Sequence, residues 1–105
     1  MTKNALHPSQ LRIVEIIEAL GFGAIGRLPV RGGMPCYDPE PHIVQEIKLA
    51  AEPERRPDHE LNLKREFEVL FSQLNRLGDG FVDIDVRHSA PFRLVLNRSH
   101  KELVP

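Results

Sequence analysis

The stretch that decides the fold is residues 63–87, with the sequence LKREFEVLFSQLNRLGDGFVDIDVR. Apolar side chains in its first part recur at helical spacing and fall on one face: Leu63, Phe67, Leu70, Phe71, Leu74 and Leu77. After a Gly-Asp-Gly turn at 78–80, the pattern changes to a strict alternation of apolar and charged side chains. We therefore predict a helix that begins near Asp58 or His59, followed by a half-buried strand over 81–87.

A second alternating strand completes this unit. A turn at residues 88–90 leads into residues 91–97, where Phe92, Leu94 and Leu96 are in phase. Two alternating segments joined by a short turn are typical of a β-hairpin. The second half of the chain is thus predicted to be a helix followed by a hairpin.

The N-terminal part of the chain begins with a similar helix. Ser9 or His7-Pro8 opens it, because proline is tolerated in a first turn, where the missing amide has no helical partner. Apolar residues keep helical spacing up to Leu20, and Gly21 follows where a left-handed C-cap is expected. We predict a helix of about three turns.

Three extended segments follow this first helix. Residues 23–31 are predicted as a strand that ends in a hairpin turn at Gly32-Gly33. The next strand, from Met34 to about Asp38, is cut short by two alternate prolines, which cannot donate ladder hydrogen bonds. Residues 42–49 are predicted as a third strand, with Ile43, Ile47 and Leu49 on one face.

The two halves repeat one another at a shift of 57 residues, since Leu20-Gly21-Phe22-Gly23 falls on Leu77-Gly78-Asp79-Gly80 (77 − 20 = 57). Further on, Pro35 meets Pro91, so the shift has fallen to 56 (91 − 35 = 56). The first half therefore holds one extra residue, which lies between Ile25 and Leu28, beside Gly26. A single extra residue next to a glycine within a strand is what a β-bulge requires.

These patterns predict one α+β domain over residues 1–105, a two-layer sandwich in the order α-β-β-β-α-β-β. Both helices lie on one face of a mostly antiparallel sheet. The halves are 8–50 and 60–97, with a mobile loop at 51–59 and a frayed tail at 98–105. One half alone cannot bury its apolar face, so we expect a shared core of Leu70, Phe71 and Leu74 with Ile13, Ile17, Val82 and Ile84.

A family resemblance rests on the glycines and prolines. The Leu-Gly-x-Gly string at 20–23, followed by an alternating strand, a tight turn and a proline, resembles short uncharacterised bacterial proteins built on a helix–LGxG–β-hairpin unit. The stretch from Arg31-Gly32-Gly33 through Asp38-Pro39 to Ile47-Lys48 is similar to theirs as well. The resemblance covers most of the chain outside 51–59. It implies a fold and no activity, because its motifs are structural.

Composition restricts the classes of function. Fourteen basic and fifteen acidic residues give a net charge of −1, which argues against binding nucleic acid through bulk charge alone. Cys36 is the only cysteine, so a disulfide within the chain and a cysteine-only zinc site are excluded. The N-terminus has no signal-like apolar run, and no apolar stretch is long enough to span a membrane. We expect a cytoplasmic protein without a membrane partner.

A cluster of metal-ligand residue types lies in the proline-rich segment. Cys36, Asp38, Glu40 and His42 occupy alternate positions, so an extended chain would direct all four side chains to one side. Neighbours of this kind lie about 6–7 Å apart, which is too far for adjacent ligands without a turn. The residues are weak metal candidates, and a solvated connection that holds no metal or other cofactor is the better interpretation.

Two further motifs suggest chemistry that their context does not support. The Gly-x-Gly turns follow helices, whereas anion-binding glycine loops precede a helix N-terminus. Asp85, His88 and Ser89 are the residue types of a hydrolytic triad, but neighbours at one strand end cannot adopt its geometry. We therefore predict no catalytic site and expect that the chain is not an enzyme.

Outward-facing arginines are the charges of greatest functional interest: Arg27, Arg31, Arg87 and Arg93. If the hairpins pair side by side, these residues form a basic stripe that suits a nucleic-acid backbone or an acidic partner. Asp83 and Asp85 share the same face, which favours cross-strand ion pairs instead.

Two hypotheses for function follow. The first is a non-enzymatic protein-interaction module that self-associates to a homodimer, with Val44 and Glu46 as candidates at an exposed strand edge. The second is a nucleic-acid-binding accessory protein that uses the arginine-bearing face.

Overall fold

A computed structural model describes residues 3–47, 49 and 64–97 of the chain. The elements follow the predicted order, after a short 3₁₀ helix at Lys3–Ala5. Their bounds are Pro8–Leu20 for α1, Gly23–Arg31 for β1, Met34–Pro35 for β2, His42–Gln45 for β3, Arg65–Leu77 for α2, Gly80–Arg87 for β4 and Ala90–Asn97 for β5. The predicted loop 51–59, the tail 98–105 and the helix start at Asp58 or His59 lie outside the described residues.

One antiparallel sheet forms a layer of the fold, with β1 and β4 at its centre. Gly23 lies opposite Val86 in this central pair, and Val30 lies opposite Gly80. β5 pairs with the outer edge of β4, while β2 and β3 pair with the two ends of the outer edge of β1. The α+β class and the antiparallel sheet predicted from the sequence are confirmed.

Both helices pack on the same face of the sheet and share one hydrophobic core with it. Leu74 and Ile17 are fully buried at its centre, and every residue predicted for the core is buried. Removing one such aliphatic side chain from water contributes about 1.5–3 kcal/mol. Because a single cluster joins both helices and the central strands, neither half has a core of its own. Neither helix is long and apolar enough to cross a membrane.

An approximate two-fold axis between β1 and β4 relates the two halves. Two hydrogen bonds cross between them in matching positions: Gly33 N–H donates to Gly78 O (2.8 Å), and Ser89 N–H donates to Gly21 O (3.0 Å). Gly21 and Gly78 end the two helices with φ values of 73° and 76°. Each hairpin turn is thus tied to the helix end of the other half, which matches the repeat in the sequence.

A β-bulge lies in β1 where the extra residue was predicted, since the register with β4 shifts between Ile25 and Leu28. Arg27 within it adopts a positive φ of 53°. Its backbone N–H, turned away from the ladder, donates to the Asp83 carboxylate at 2.9 Å. The Asp83 carboxylate in β4 therefore accepts the hydrogen bond that a backbone carbonyl would accept in a regular ladder.

The third strand differs from the prediction. β3 ends at Gln45 rather than Leu49, because its last partner is Gly23, the first residue of β1. The three residues predicted to share one face, Ile43, Ile47 and Leu49, are 46%, 68% and 95% exposed and do not belong to the core cluster. β2 is also shorter than predicted and ends at Pro35.

Candidate functional site

Among the residues that the structure describes, the helix-free face of the sheet carries one cross-strand ion pair. Arg93 and Asp85 lie opposite one another in β5 and β4, and their side chains meet at 2.8 Å. Both side chains remain substantially exposed, so the pair adds at most about 1 kcal/mol to stability. Its larger effect is on recognition, because the charge of Arg93 is neutralised within the chain.

Two other arginines of this face stack on aromatic rings. The guanidinium of Arg27 lies 5.1 Å from the centre of the Phe81 ring, and that of Arg87 lies 4.3 Å from the centre of the Phe92 ring. Each contact holds a cation over an aromatic face, where it gains about 0.5–1 kcal/mol at an exposed site. These arginines are positioned by their own neighbours and keep their charge.

The arginines do not form one compact stripe. Arg31 and Arg87 each immediately precede a hairpin turn, and the central pair is antiparallel, so the two residues lie at opposite ends of the sheet. The eight residues from Gly23 to Val30 separate these ends by about 20 Å. Asp83 lies between them and is bound by Arg27 N–H and by the Asn97 side-chain amide. The predicted basic stripe is thus broken by acidic groups.

The four metal candidates are not brought together. Cys36 is half-buried, and its thiol donates a weak hydrogen bond to Met34 O at 3.7 Å. The side chains of Asp38, Glu40 and His42 are exposed. Across residues 3–47, 49 and 64–97, no group of three or more His, Cys, Asp or Glu side chains is placed to hold a metal ion.

Two of the three residue types of a hydrolytic triad make other side-chain contacts. The His88 ring meets the Phe22 ring edge-on, with centroids 4.9 Å apart, and Asp85 is paired with Arg93. Ser89 contributes its backbone N–H to the contact with Gly21. These residues line or border a polar surface cleft of about 630 Å³, which Val44 and Glu46 flank on the opposite side.

An apolar cleft of about 320 Å³ lies between α2 and β5. Val69 and Leu70 of α2 form one wall, and Phe92 and Leu94 of β5 form the other. Phe92 is 61% exposed and Val69 is 52% exposed, which is unusual for large apolar side chains so close together. The polar rim consists of Arg65, Glu66, Gln73 and Arg93, with Pro91 at one end.

Sequence alternation assigned Phe92 to the same inner row as Leu94 and Leu96. The register between β4 and β5 shifts at this point, since Asp85 faces Arg93 while Val86 faces Pro91. Phe92 is therefore the unpaired residue of a bulge, and its ring lies beside Arg87 at the sheet edge. The proline next to a hairpin turn is the signal in the sequence that marks the irregularity.

The two outer edges of the sheet are uncovered by other strands in the described part of the chain. β5 pairs only with β4, and β3 pairs only with β1. Their exposed apolar residues are Phe92 and Val95 on β5, and Ile43 and Val44 on β3. Strand edges of this kind present unpaired backbone groups and favour the addition of another strand.

Comparisons with protein-family models, with curated proteins and with solved structures found no match to this chain. The resemblance to bacterial helix–LGxG–β-hairpin proteins therefore stays a prediction.

Proposed function

We propose that this domain is a non-enzymatic protein-interaction module that self-associates to a homodimer through the α2–β5 edge. The observation that carries the proposal is the apolar cleft beside the outer edge of β5, where Phe92 and Val69 both line the cleft and are both exposed. Concave apolar surfaces with a polar rim are typical of interaction sites. The strand β5 adds backbone donors and acceptors along the same edge.

Charge at this surface favours a second copy as the occupant. Arg65 and Glu66 carry opposite charges on neighbouring positions of α2, and the charge of Arg93 is balanced by Asp85. Apart from Arg87, whose guanidinium lies over the Phe92 ring, the charged groups of two identical surfaces that face each other across a two-fold axis therefore balance, and Arg65 of one copy can approach Glu66 of the other. An antiparallel pairing of β5 with β5 is isologous, so it closes after two copies.

Continuity with the core supports the same arrangement. Leu94 and Leu96 pack against the core cluster but remain half-exposed at its margin. A second copy placed along β5 would complete their burial together with that of Phe92 and Val69. Each half-exposed side chain gains about 1 kcal/mol when it is covered. Much of that gain is offset by lost translational and rotational freedom, so we expect micromolar rather than nanomolar dissociation.

Nucleic-acid binding has weaker support. One of the four arginines is paired with Asp85, two are stacked on rings, and the acidic residues lie among them. A duplex or single strand would meet this mixed surface with little net attraction.

Sedimentation velocity over a concentration series tests the proposal. The unaltered chain is expected to change from monomer to dimer as its concentration rises. Phe92→Lys should shift that transition to higher concentration by at least tenfold, because it places two like charges at the interface. Val44→Lys, the matched change at the other sheet edge, should leave it unaltered.

A chain that stays monomeric at every concentration would refute self-association. Dissociation by Val44→Lys but not by Phe92→Lys would place the interface at β3 and refute the assignment to α2–β5. Unfolding curves of both variants show whether each remains folded; both sites are about half-exposed or more, so we expect small changes.

A further inference from the structure

The β3 edge has a chemistry different from that of the α2–β5 edge. Its four residues, His42–Gln45, are all exposed, and two of them are β-branched aliphatic side chains. Ile43, Val44 and the following Ile47 are 46%, 49% and 68% exposed. Because β1 covers only one side of β3, the outer backbone edge of the strand has no partner strand among the described residues.

Acidic side chains surround these apolar residues. Asp38, Glu40 and Glu46 are exposed, and positions 33–46 contain no lysine or arginine; the basic residues nearest to them in sequence are Arg31 and Lys48. No ion pair between described residues involves any of the three carboxylates. The segment therefore presents a local charge of about −3 at neutral pH, in a chain whose total is −1.

We propose that the β3 edge is a docking site for an extended segment of a partner protein that alternates apolar and basic side chains. The segment adds a strand beside β3, and its backbone supplies the hydrogen bonds that the edge lacks. Its apolar side chains lie on the same face as Ile43 and Ile47, and its lysines or arginines lie on the opposite face, which carries Val44 and Glu46, and approach the acidic side chains there. This inference is independent of self-association through the α2–β5 edge.

Charge and symmetry favour a different protein over the other occupants of this edge. An isologous pairing of β3 with β3 of a second copy would place two sets of three carboxylates against each other. Pairing of β3 with β5 of a second copy is heterologous, so it gives a ring or an open filament rather than a two-fold dimer. Nucleic acid is repelled by the carboxylates. A basic strand from a different protein meets neither obstacle.

Fluorescence anisotropy with short labelled peptides tests the proposal. The probe alternates lysine and valine; the first control replaces every lysine by glutamate, and the second replaces alternate valines by proline. We expect saturable binding of the lysine–valine peptide that weakens as salt rises. Neither control should bind, because one reverses the charge and the other removes backbone donors and prevents strand addition.

Variants of the protein locate the site. Glu40→Gln with Glu46→Gln should weaken binding of the lysine–valine peptide by about fivefold, as expected for two solvent-exposed charge contacts. Ile47→Ser should weaken it as well. Glu15→Gln on the exposed side of α1 is the matched charge control and should have no effect. Phe92→Lys should also have no effect, which separates this site from the dimer interface.

Three results would overturn the proposal. The first is equal binding of the lysine–valine and glutamate–valine peptides, which would show that charge does not select the partner. The second is undiminished binding of the proline-containing peptide, which would rule out strand addition. The third is the absence of saturable binding of the lysine–valine peptide up to about 1 mM, the weakest range for a specific contact.

Discussion

The turn at Gly32-Gly33 provides a matched pair of substitutions, because both glycines have positive φ values, 58° and 79°, but only one of them touches a helix. A Cβ atom added to Gly33 would lie 2.9 Å from the Cα atom of Asn75 in α2. A Cβ atom added to Gly32 would meet no atom within 4 Å. Alanine at either position carries the cost of a left-handed conformation, and alanine at Gly33 also forces the turn away from the helix.

The magnitude follows from these contacts. Gly32→Ala is expected to cost about 1 kcal/mol, which is the conformational penalty alone. Gly33→Ala adds the steric displacement and weakens the hydrogen bond from Gly33 N–H to Gly78 O, so we expect a cost of about 2–4 kcal/mol. The corresponding turn in the second half contains His88 and Ser89 with φ values of 53° and 59°, so side chains are compatible with the turn itself.

Urea unfolding followed by circular dichroism measures the difference. The unaltered chain and both variants are compared at one protein concentration, so that self-association contributes equally. Equal costs for Gly32→Ala and Gly33→Ala, within about 0.5 kcal/mol, would refute the close contact between the turn and α2.

Three further predictions concern the core, a buried phenol and the arginine face. Leu74→Ala and Ile17→Ala, at equivalent and fully buried positions of the two halves, should each lower the free energy of unfolding in urea by about 2–5 kcal/mol. A near-zero change for either variant would show that the halves do not share the core. Burial raises the pKa of Tyr37 from 10.0 to about 12. The stability that the neutral phenol contributes below pH 10 should therefore be lost as pH rises towards 12, and unfolding at a series of pH values should show a smaller loss for Tyr37→Phe. An equal loss of stability in the two proteins would contradict this. The isolated chain should bind DNA and RNA only weakly in filter-binding titrations; tight binding whose salt slope falls by about 2 on changing Arg87 and Arg93 to Gln would support the nucleic-acid hypothesis instead.

Local periodicity was sufficient to predict α2 and β4. The apolar row of α2 repeats at helical spacing, and β4 alternates strictly, so each pattern identifies its element and buried face. The change in the repeat shift from 57 to 56 residues also located the bulge in β1. One extra residue in a strand would turn every following side chain to the other face unless a bulge accommodates it. These features depend on the chain's own backbone geometry.

The candidate surfaces were harder to predict because they depend on which elements meet. The exposure of Phe92 results from a second bulge, whose position depends on how β5 pairs with β4. Ile43 and Ile47 alternate like core residues, but no described helix covers their end of the sheet. The prediction of a basic stripe assumed that the hairpins pair side by side with their arginines together. The two-fold relation of the halves instead places Arg31 and Arg87 at opposite ends of the sheet.

Self-association through the α2–β5 edge is tested most directly by isotope-filtered nuclear Overhauser spectroscopy on a mixture of labelled and unlabelled chains. Only protons of different copies give signals in this experiment. We predict contacts between copies that join the backbone protons of β5 to one another and link the ring of Phe92 to β5 or α2 of the second copy. A dimer whose intermolecular signals arise instead from β3, or a sample at dimer-forming concentration that gives no signal from β5, would contradict the proposed interface.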